Sequence, residues 1–261
     1  MKTVFRAALN AVTLAIVLSL AWLSGCCHQP ISPKSACPCQ PGAKTCACQP
    51  GSADCRCQSK LTPAAKPAAP VAAANPEGWK DLFNGQTLEG WKCTDFAGHG
   101  EVEAKDGQLL LGMGVMTGVN YTNPPPTMNY ELSLEAMRVE GSDFFCGLTF
   151  QINQSPCTLI VGGWGGGLVG LSSIDDMDAS ENETSKFKSF ENKKWYKIRL
   201  RVTERKVEVW IDDEKQIDVI HTGRKISLRA GEIESSAPFG IATWSTSGAY
   251  RNLKLRTLKL D

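Results

Sequence analysis

The chain has 261 residues, with 28 Lys and Arg against 27 Asp and Glu, so its formal net charge is +1. The charge is uneven: a net of +4 over 27–76 and +2 before it leave −5 for 77–261. An acidic C-terminal part lacks the basic face that nucleic-acid binding needs, so the sequence predicts no nucleic-acid partner.

The N-terminus has the pattern of a secretory signal. A short basic start precedes an apolar stretch over 7–23, which is short for a membrane-spanning helix. Leu23-Ser24-Gly25-Cys26 follows and resembles the lipobox of bacterial lipoproteins. The resemblance implies a signal peptide over 1–25, acylation of Cys26 by lipid chains such as palmitate, and the lipid bilayer as a partner. The expected location is the bacterial cell envelope, periplasmic or surface-facing. An ordinary secretory signal and an uncleaved anchor are the alternatives.

Positions 26–76 have the composition of a tether. Cys-x-Cys pairs recur with a nine-residue period at Cys37, Cys46 and Cys55, and turn residues separate them. These repeat units have almost no aliphatic side chains, so they cannot bury a core. Their thiols form disulfides in an oxidising compartment, bind a soft metal ion or have no defined chemistry. A Pro/Ala-rich linker over 61–76 completes the tether.

Residues 77–261 show short alternating segments separated by turns. Lys197–Val202 alternates polar and apolar residues, 203–206 forms a turn, and Asp212-Asp213 closes a second hairpin. No segment has a sustained helical period. The sequence predicts an all-β, two-sheet jelly-roll sandwich. The predicted strands are Glu101–Glu103, Gln108–Leu111, Tyr130–Val139, Phe144–Ile152, Cys157–Val161, Leu168–Ile174, Trp195–Thr203, Lys206–Ile211, Phe239–Trp244 and Tyr250–Leu258.

The opening of this domain carries a family motif. The segment from Trp79 to Trp91 contains Leu-Phe-Asn-Gly, a leucine three positions later and a closing Gly-Trp. It resembles the 3-keto-disaccharide hydrolase family, and weaker marks over 78–260 agree: Asp106-Gly107-Gln108-Leu109, Tyr130-Glu131-Leu132 and Lys194-Trp195-Tyr196. The resemblance implies a concanavalin-like jelly roll and a carbohydrate or 3-keto-glycoside ligand.

The resemblance also implies a reaction. A ketone at C3 of a sugar acidifies the C2 proton, so a base removes that proton, the C1 substituent is expelled and water adds back. Such a site needs a base, a donor to the ketone oxygen and an acid for the leaving oxygen. This chain lacks the arginine that family members carry near Phe150, and the acidic residues of their next strand. A membrane-anchored hydrolase or lyase is therefore weighed against a non-catalytic carbohydrate-binding module and an envelope structural protein.

Two loops supply candidate site residues. Trp164 stands among five glycines over 162–167, which predicts a curved loop with an exposed ring for sugar stacking, or a tight bulge with the ring inside. The acidic run over 175–183 supplies Asp176 and Glu181 as predicted catalytic residues. The predicted substrate-binding residues are Trp164, Asp178, Asn182 and Trp244. A solvated loop and a divalent cation site over 175–183 are the alternatives, although the spacing does not fit a twelve-residue calcium loop.

Histidines and cysteines add weaker candidates. His99 and His221 are alternative bases. Three cysteines in the domain allow one disulfide, and Cys146 with Cys157 is the expected pair because both flank a predicted hairpin.

Overall fold

The computed structural model describes residues 78–259. The predicted signal peptide, lipid attachment at Cys26 and tether over 26–76 lie outside the described residues. Within 78–259, no helix has the length and apolarity that crossing a membrane requires. The strands in chain order are β1 (Lys80–Asp81), β2 (Trp91–Cys93), β3 (Val102–Lys105), β4 (Gln108–Leu111), β5 (Met116–Tyr121), β6 (Tyr130–Gly141), β7 (Cys146–Ile152), β8 (Ser155–Gly163), β9 (Leu168–Ser172), β10 (Lys186–Phe187), β11 (Trp195–Val202), β12 (Lys206–Ile211), β13 (Glu214–Ile220), β14 (Gly240–Trp244) and β15 (Thr246–Thr257). A 3₁₀ helix spans Glu232–Ser236.

These strands form two antiparallel sheets. The back sheet has eight strands in the order β13-β12-β11-β6-β15-β4-β3, with β1 paired to β15. The front sheet has seven strands in the order β10-β9-β8-β7-β14-β5-β2. Long crossovers place β14 between β7 and β5, and β15 between β6 and β4. The fold is the predicted all-β, concanavalin-like jelly-roll sandwich.

The back sheet follows the alternation that the sequence shows. In β11, Ile198, Leu200 and Val202 are buried in the main core, whereas Lys197, Arg199 and Arg201 point away from it. Period-two alternation puts every second residue on one face, so one face of the strand packs against the main core and the other carries charged side chains.

The central strands of the front sheet are buried on both faces. Strands β7 and β9 are buried throughout, and β8 is buried over most of its length. In β8, Leu159 and Val161 face the main core, while Ile160 joins a second cluster on the opposite, outer face. That second cluster consists of Phe96, Met116, Phe144, Ile160, Leu168, Ala179, Ile233 and Ala242. Loops therefore cover part of the outer face of the front sheet, and the candidate site lies among them.

The ten predicted strands are present, two with the predicted ends (Gln108–Leu111 and Lys206–Ile211) and eight with shifted ends. The predicted Phe144–Ile152 strand begins at Cys146, and the predicted Tyr250–Leu258 strand begins earlier, at Thr246. The hairpin at Asp212-Asp213 is confirmed by the antiparallel pairing of β12 and β13. Five observed strands are not among the ten predicted: β1, β2, β5, β10 and β13, of which only β13 is implied, by the predicted hairpin at Asp212-Asp213. Among the other four, β5 is the longest, and its Met-Thr-Gly-Val-Asn-Tyr sequence has no polar–apolar alternation because both of its faces are buried.

The predicted disulfide between Cys146 and Cys157 is wrong. Cys146 is opposite Val161 in the hairpin, whereas Cys157 is opposite Phe150, so four residues of strand separate the two. Four residues span about 13 Å, and a disulfide needs Cα atoms about 4.4–6.8 Å apart. Both cysteines are free and buried, and burial raises the pKa of each thiol to about 12.

Candidate functional site

A pocket of about 480 Å³ opens on the outer face of the front sheet. Its lining comes from several elements, which are the strands β5, β8, β9 and β14 and the loops around positions 143, 164 and 229–233. The residues that line it are Met116, Asp143, Phe144, Thr158, Ile160, Trp164, Ser172, Arg229, Ala230, Gly231, Glu232, Ile233 and Trp244. The pocket thus combines aromatic and aliphatic surface with a few charged and hydroxyl groups, as ligand pockets generally do.

Two tryptophans give this pocket exposed aromatic surface. Trp164 is 42% exposed and has a φ of 48°, a backbone conformation that its flanking Gly162 and Gly165 also adopt. Trp244, at the end of β14, is 38% exposed. The alternative in which Trp164 packs inward is therefore wrong, and the curved loop holds its ring at the pocket.

Two carboxylates line the pocket. Asp143 is half-buried, and its Oδ1 accepts a hydrogen bond from the Phe144 N–H at 2.7 Å. Its Oδ2 accepts a longer one, at 3.4 Å, from the N–H of Gly165. Glu232 is exposed and accepts a hydrogen bond from the Ala97 N–H at 3.1 Å. Asp143 is the better fixed of the two, because backbone donors on both of its oxygens set its orientation.

One arginine brings a positive charge to the pocket. The Arg229 Nη1 donates to Asp178 Oδ2 at 2.6 Å, and the Ser172 Oγ donates to Asp178 Oδ1 at 2.5 Å. The Arg229 guanidinium carbon also lies 5.6 Å from the centroid of the Trp164 ring. Asp178 therefore orients Arg229 from behind, while Ser172 and Arg229 are the groups that face the pocket.

Buried hydroxyls fix the segment that closes the pocket. Thr158 Oγ1 lies 2.9 Å from Thr149 Oγ1, which lies 2.6 Å from Ser236 Oγ. Ser236 in turn donates to the Ile233 carbonyl at 2.6 Å. This chain of hydrogen bonds attaches the 3₁₀ helix to the front sheet, so the wall that carries Glu232 is held by satisfied buried polar groups.

The two residues predicted to be catalytic lie outside this pocket. Asp176 forms an exposed ion pair with Lys225 at 2.7 Å. Glu181 is exposed, and its Oε2 accepts a hydrogen bond from the Asp178 N–H at 3.1 Å. The catalytic roles assigned to Asp176 and Glu181 stay predictions.

The rest of the acidic run is engaged in holding its own loop. Asn182 is buried, and its Nδ2 donates to the carbonyls of Leu171, Met177 and Asp178. Hydrogen bonds from Arg224 lower the pKa of both Asp175 and Glu183. Across residues 78–259, no group of three or more His, Cys, Asp or Glu side chains is placed to hold a metal ion. The structure therefore offers no support for the cation alternative at 175–183.

The remaining predicted residues divide between pocket and periphery. Of the four predicted substrate-binding residues, Trp164 and Trp244 line the pocket, Asp178 contacts it through Arg229 and Ser172, and Asn182 lies in the loop behind. His99 Nδ1 lies 2.9 Å from the Gly100 carbonyl oxygen, and neither His99 nor His221 lines the pocket.

Sequence reasoning missed the three charged pocket residues, Asp143, Arg229 and Glu232. Asp143 begins the segment in which the chain departs from the family pattern, and that departure was the one signal available for it. Arg229 and Glu232 lie in a stretch without a motif.

Comparisons with known proteins gave a family and several similar solved structures. The carbohydrate-binding module CBM66 from Bacillus subtilis is 12% identical, covers 64% of this chain and 96% of its own, and has a TM-score of 0.45. Domain 4 of AbnA, a GH43 extracellular arabinanase from Geobacillus stearothermophilus solved with arabinotriose, is 16% identical, with 66% and 84% covered and a TM-score of 0.44. No curated protein matches the chain. The model of the 3-keto-alpha-glucoside-1,2-lyase-like domain matches residues 78–256, which confirms the resemblance of the opening motif, and the chain belongs to that family.

Proposed function

We propose that the pocket binds a carbohydrate and that the domain acts on it as a hydrolase or lyase of 3-keto-glycosides. The observation that carries this proposal is the placement of Trp164 and Trp244 in the same pocket as Asp143 and Arg229. Aromatic faces suit the apolar face of a sugar ring, and the charged groups suit a reaction in which a proton leaves carbon and charge develops on oxygen. Membership of the family supports the same substrate class.

In this proposal Asp143 is the base. An ionised carboxylate removes the C2 proton, the electron pair moves towards the C3 ketone oxygen, and that oxygen gains negative charge. Arg229 faces the pocket with a permanent positive charge and several N–H donors, so it stabilises the charge on that oxygen.

The second half of the reaction returns the electrons and the proton. A C1–C2 double bond forms as the C1–oxygen bond breaks, and protonated Asp143 supplies the proton to the departing oxygen. The lyase product is then the unsaturated ketone. Addition of water across the C1–C2 double bond completes net hydrolysis, so the elimination requires no co-reactant and the hydrolysis requires only water.

Incubation with a panel of 3-keto-disaccharides tests the proposal. The full chain should release a free sugar or aglycone from at least one panel member and leave the matching unoxidised disaccharide intact. The unoxidised disaccharide is the control, because it differs from the substrate only in lacking the ketone. Cleavage of both compounds at equal rates would contradict the elimination, because an ordinary glycoside lacks the acidic C2 proton.

A second candidate function is a non-catalytic carbohydrate-binding module. The ion pairs of the acidic run favour it, because they engage its carboxylates in holding the loop. These pairs are Asp175 with Arg224, Asp176 with Lys225, and Asp178 with Arg229. Such a module would bind members of the panel and release nothing from any of them.

Replacement of Trp164 by alanine should weaken carbohydrate binding by about 1–3 kcal/mol, the range for an anchoring aromatic at an interface. The reason is the loss of a stacking face that is already exposed before the ligand arrives. Isothermal titration of the full chain with the best panel member measures the change. Trp210→Ala is the matched control, because Trp210 lies in the back sheet and packs against Arg199. Equal losses of carbohydrate affinity in both variants would show that Trp164 does not stack on the sugar.

We also propose that the protein is attached to the bacterial envelope by lipid at Cys26. The support is the Leu-Ser-Gly-Cys sequence directly after a short apolar stretch. In cells fed radioactive palmitate, the wild-type chain should be labelled, and Cys26→Ser should be unlabelled and remain an uncleaved precursor. Cys27→Ser is the neighbouring control and should label like the wild type. Labelling of the Cys26→Ser chain would show that the lipid is elsewhere.

A further inference from the structure

A second pocket, of about 390 Å³, is lined by Gly165, Gly166 and Gly167 of the same glycine-rich loop. Trp164, directly before these glycines, lines the first pocket. The side chains that line the second pocket are Arg138, Phe187, Lys188, Ser189 and Phe190. The proposed reaction uses none of them.

Arg138 is a buried cation that forms no ion pair among the described residues, although Asp143 lies nearby. It is 4% exposed, and its Nη2 donates to the Gly166 carbonyl at 2.8 Å. Among residues 78–259, its Nε has no hydrogen-bond partner and its guanidinium forms no ion pair. Burial lowers the pKa of Arg138, and the nearby Tyr196 and Asp143 offset only part of that shift, yet an arginine keeps its charge in proteins.

The glycine loop is built closely around this guanidinium. A Cβ at position 166 would lie 2.7 Å from Arg138 Nη1 and 2.9 Å from the Ser142 carbonyl oxygen, and the φ of Gly166 is +104°. Only glycine fits there. The loop thus brings backbone to the guanidinium without covering it with a side chain, and Arg138 lines the second pocket.

The same pocket carries an exposed aromatic ring. Phe187, in the edge strand β10, is 79% exposed, the largest exposure among the large hydrophobic residues of the described part. Lys188 adds positive charge, although its Nζ is paired with Glu214 at 2.9 Å. A ring face for stacking, a buried guanidinium and a neighbouring ammonium together suit a ring compound that carries an oxyanion.

We infer that this second pocket is a subsite for an acidic sugar residue, whose carboxylate or sulfate ester pairs with Arg138 while its ring stacks on Phe187. The inference rests on the proposed binding of carbohydrate in the first pocket, since the shared loop would let one glycan occupy both. An arginine suits this role better than a lysine because its planar fork of N–H donors matches two oxygens of one anionic group.

Nuclear magnetic resonance of arginine Nε–H groups tests the subsite directly. The full chain, labelled with ¹⁵N and held in detergent, is titrated with glucuronic acid, glucose 6-sulfate, glucose and inorganic sulfate, and the Arg138 signal is identified by its absence in Arg138→Lys. One or both acidic sugars should shift that signal and bind at least tenfold more tightly than glucose and inorganic sulfate. A shift with inorganic sulfate alone, or with no compound, would overturn the inference.

A surface variant keeps the test decisive if Arg138→Lys does not fold. Phe187→Ala changes an exposed ring, so it should retain the wild-type melting temperature and weaken acidic-sugar binding at least fivefold. Ile220→Ala, at another exposed apolar side chain on a strand, is the matched control and should bind like the wild type. Equal binding by both variants would overturn the stacking role and with it the subsite.

Trp164→Ala separates this inference from the proposed function. If the first pocket is not a carbohydrate site, Trp164→Ala leaves neutral-disaccharide binding unchanged while glucuronic acid still shifts the Arg138 signal. If the subsite alone is wrong, neutral-disaccharide binding is weakened in Trp164→Ala and the Arg138 signal never moves.

Discussion

Asp143→Asn should reduce turnover of a 3-keto-disaccharide by about a hundredfold or more, the usual effect of removing a general base, while substrate binding persists. Asparagine keeps the size of the side chain, and its amide oxygen can still accept the hydrogen bond that Oδ1 accepts from the Phe144 N–H. What it loses is the negative charge and the ability to take a proton from carbon. The measurement is kcat and KM for the best substrate of the panel, with binding followed separately by calorimetry.

Two variants from the acidic run serve as controls, and they also test the competing hypothesis that the base lies in that run. Asp176 and Glu181 are the residues that the sequence predicts to be catalytic, and neither lines the pocket that holds Asp143. A site centred on Asp143 leaves Asp176→Asn and Glu181→Gln near wild-type turnover. If instead these two variants lose turnover and Asp143→Asn keeps it, the base lies in the acidic run and the pocket assignment is wrong.

The fold was predictable where one face of a strand meets solvent. In β11 the alternation of Ile198 and Leu200 with Lys197 and Arg199 marks both the strand and its buried face. The front sheet gives a weaker signal, because loops bury its outer face and period-two alternation disappears. That is why β5 was missed although it is buried at every position but Tyr121. Flanking turns still delimit β7 and β8, which are buried over most of their length.

Only those features of the site that depend on neighbouring residues in the sequence were predictable. Glycines around Trp164 indicate a curved loop from the sequence alone, because their backbone freedom is a local property. Asp143 and Arg229 meet in one pocket through crossovers that no local pattern reveals. The acidic run follows the Trp164 loop after a single strand, which favours a shared site, but the sequence does not show that Arg224 and Lys225 form ion pairs with its carboxylates. The strand register could not be predicted from the sequence either. Cys146 and Cys157 both lie in the hairpin, but the register places them four residues apart along it, too far for a disulfide.

The back sheet contains a fully buried carboxylate, Glu131, whose side chain is 0% exposed. Its oxygens accept hydrogen bonds from Arg199 at 3.0 Å, Arg201 at 2.7 Å and Arg256. Glu131→Gln should lower the free energy of unfolding by about 3 kcal/mol, because removal of one partner from a buried ion pair leaves the others uncompensated. Denaturant unfolding measures the loss. Glu135→Gln is the matched control on the same strand, since Glu135 is more exposed and its pair with Arg251 is worth at most about 1 kcal/mol.

Glu131 should also make the stability of the fold depend on pH, with stability lost as the pH falls. Burial alone would raise the pKa of Glu131, but hydrogen bonds from Arg201 and Arg256 and their positive charge outweigh it and hold the pKa below its ordinary value. A group whose pKa is lower in the folded state stabilises the fold above its unfolded pKa, about 4.3 for glutamate. That stabilisation is lost as the pH falls through the folded-state pKa. The wild type should therefore lose more stability than Glu131→Gln between neutral pH and the acid side of 4.3. Parallel pH profiles for the two proteins would mean that Glu131 does not supply this stabilisation.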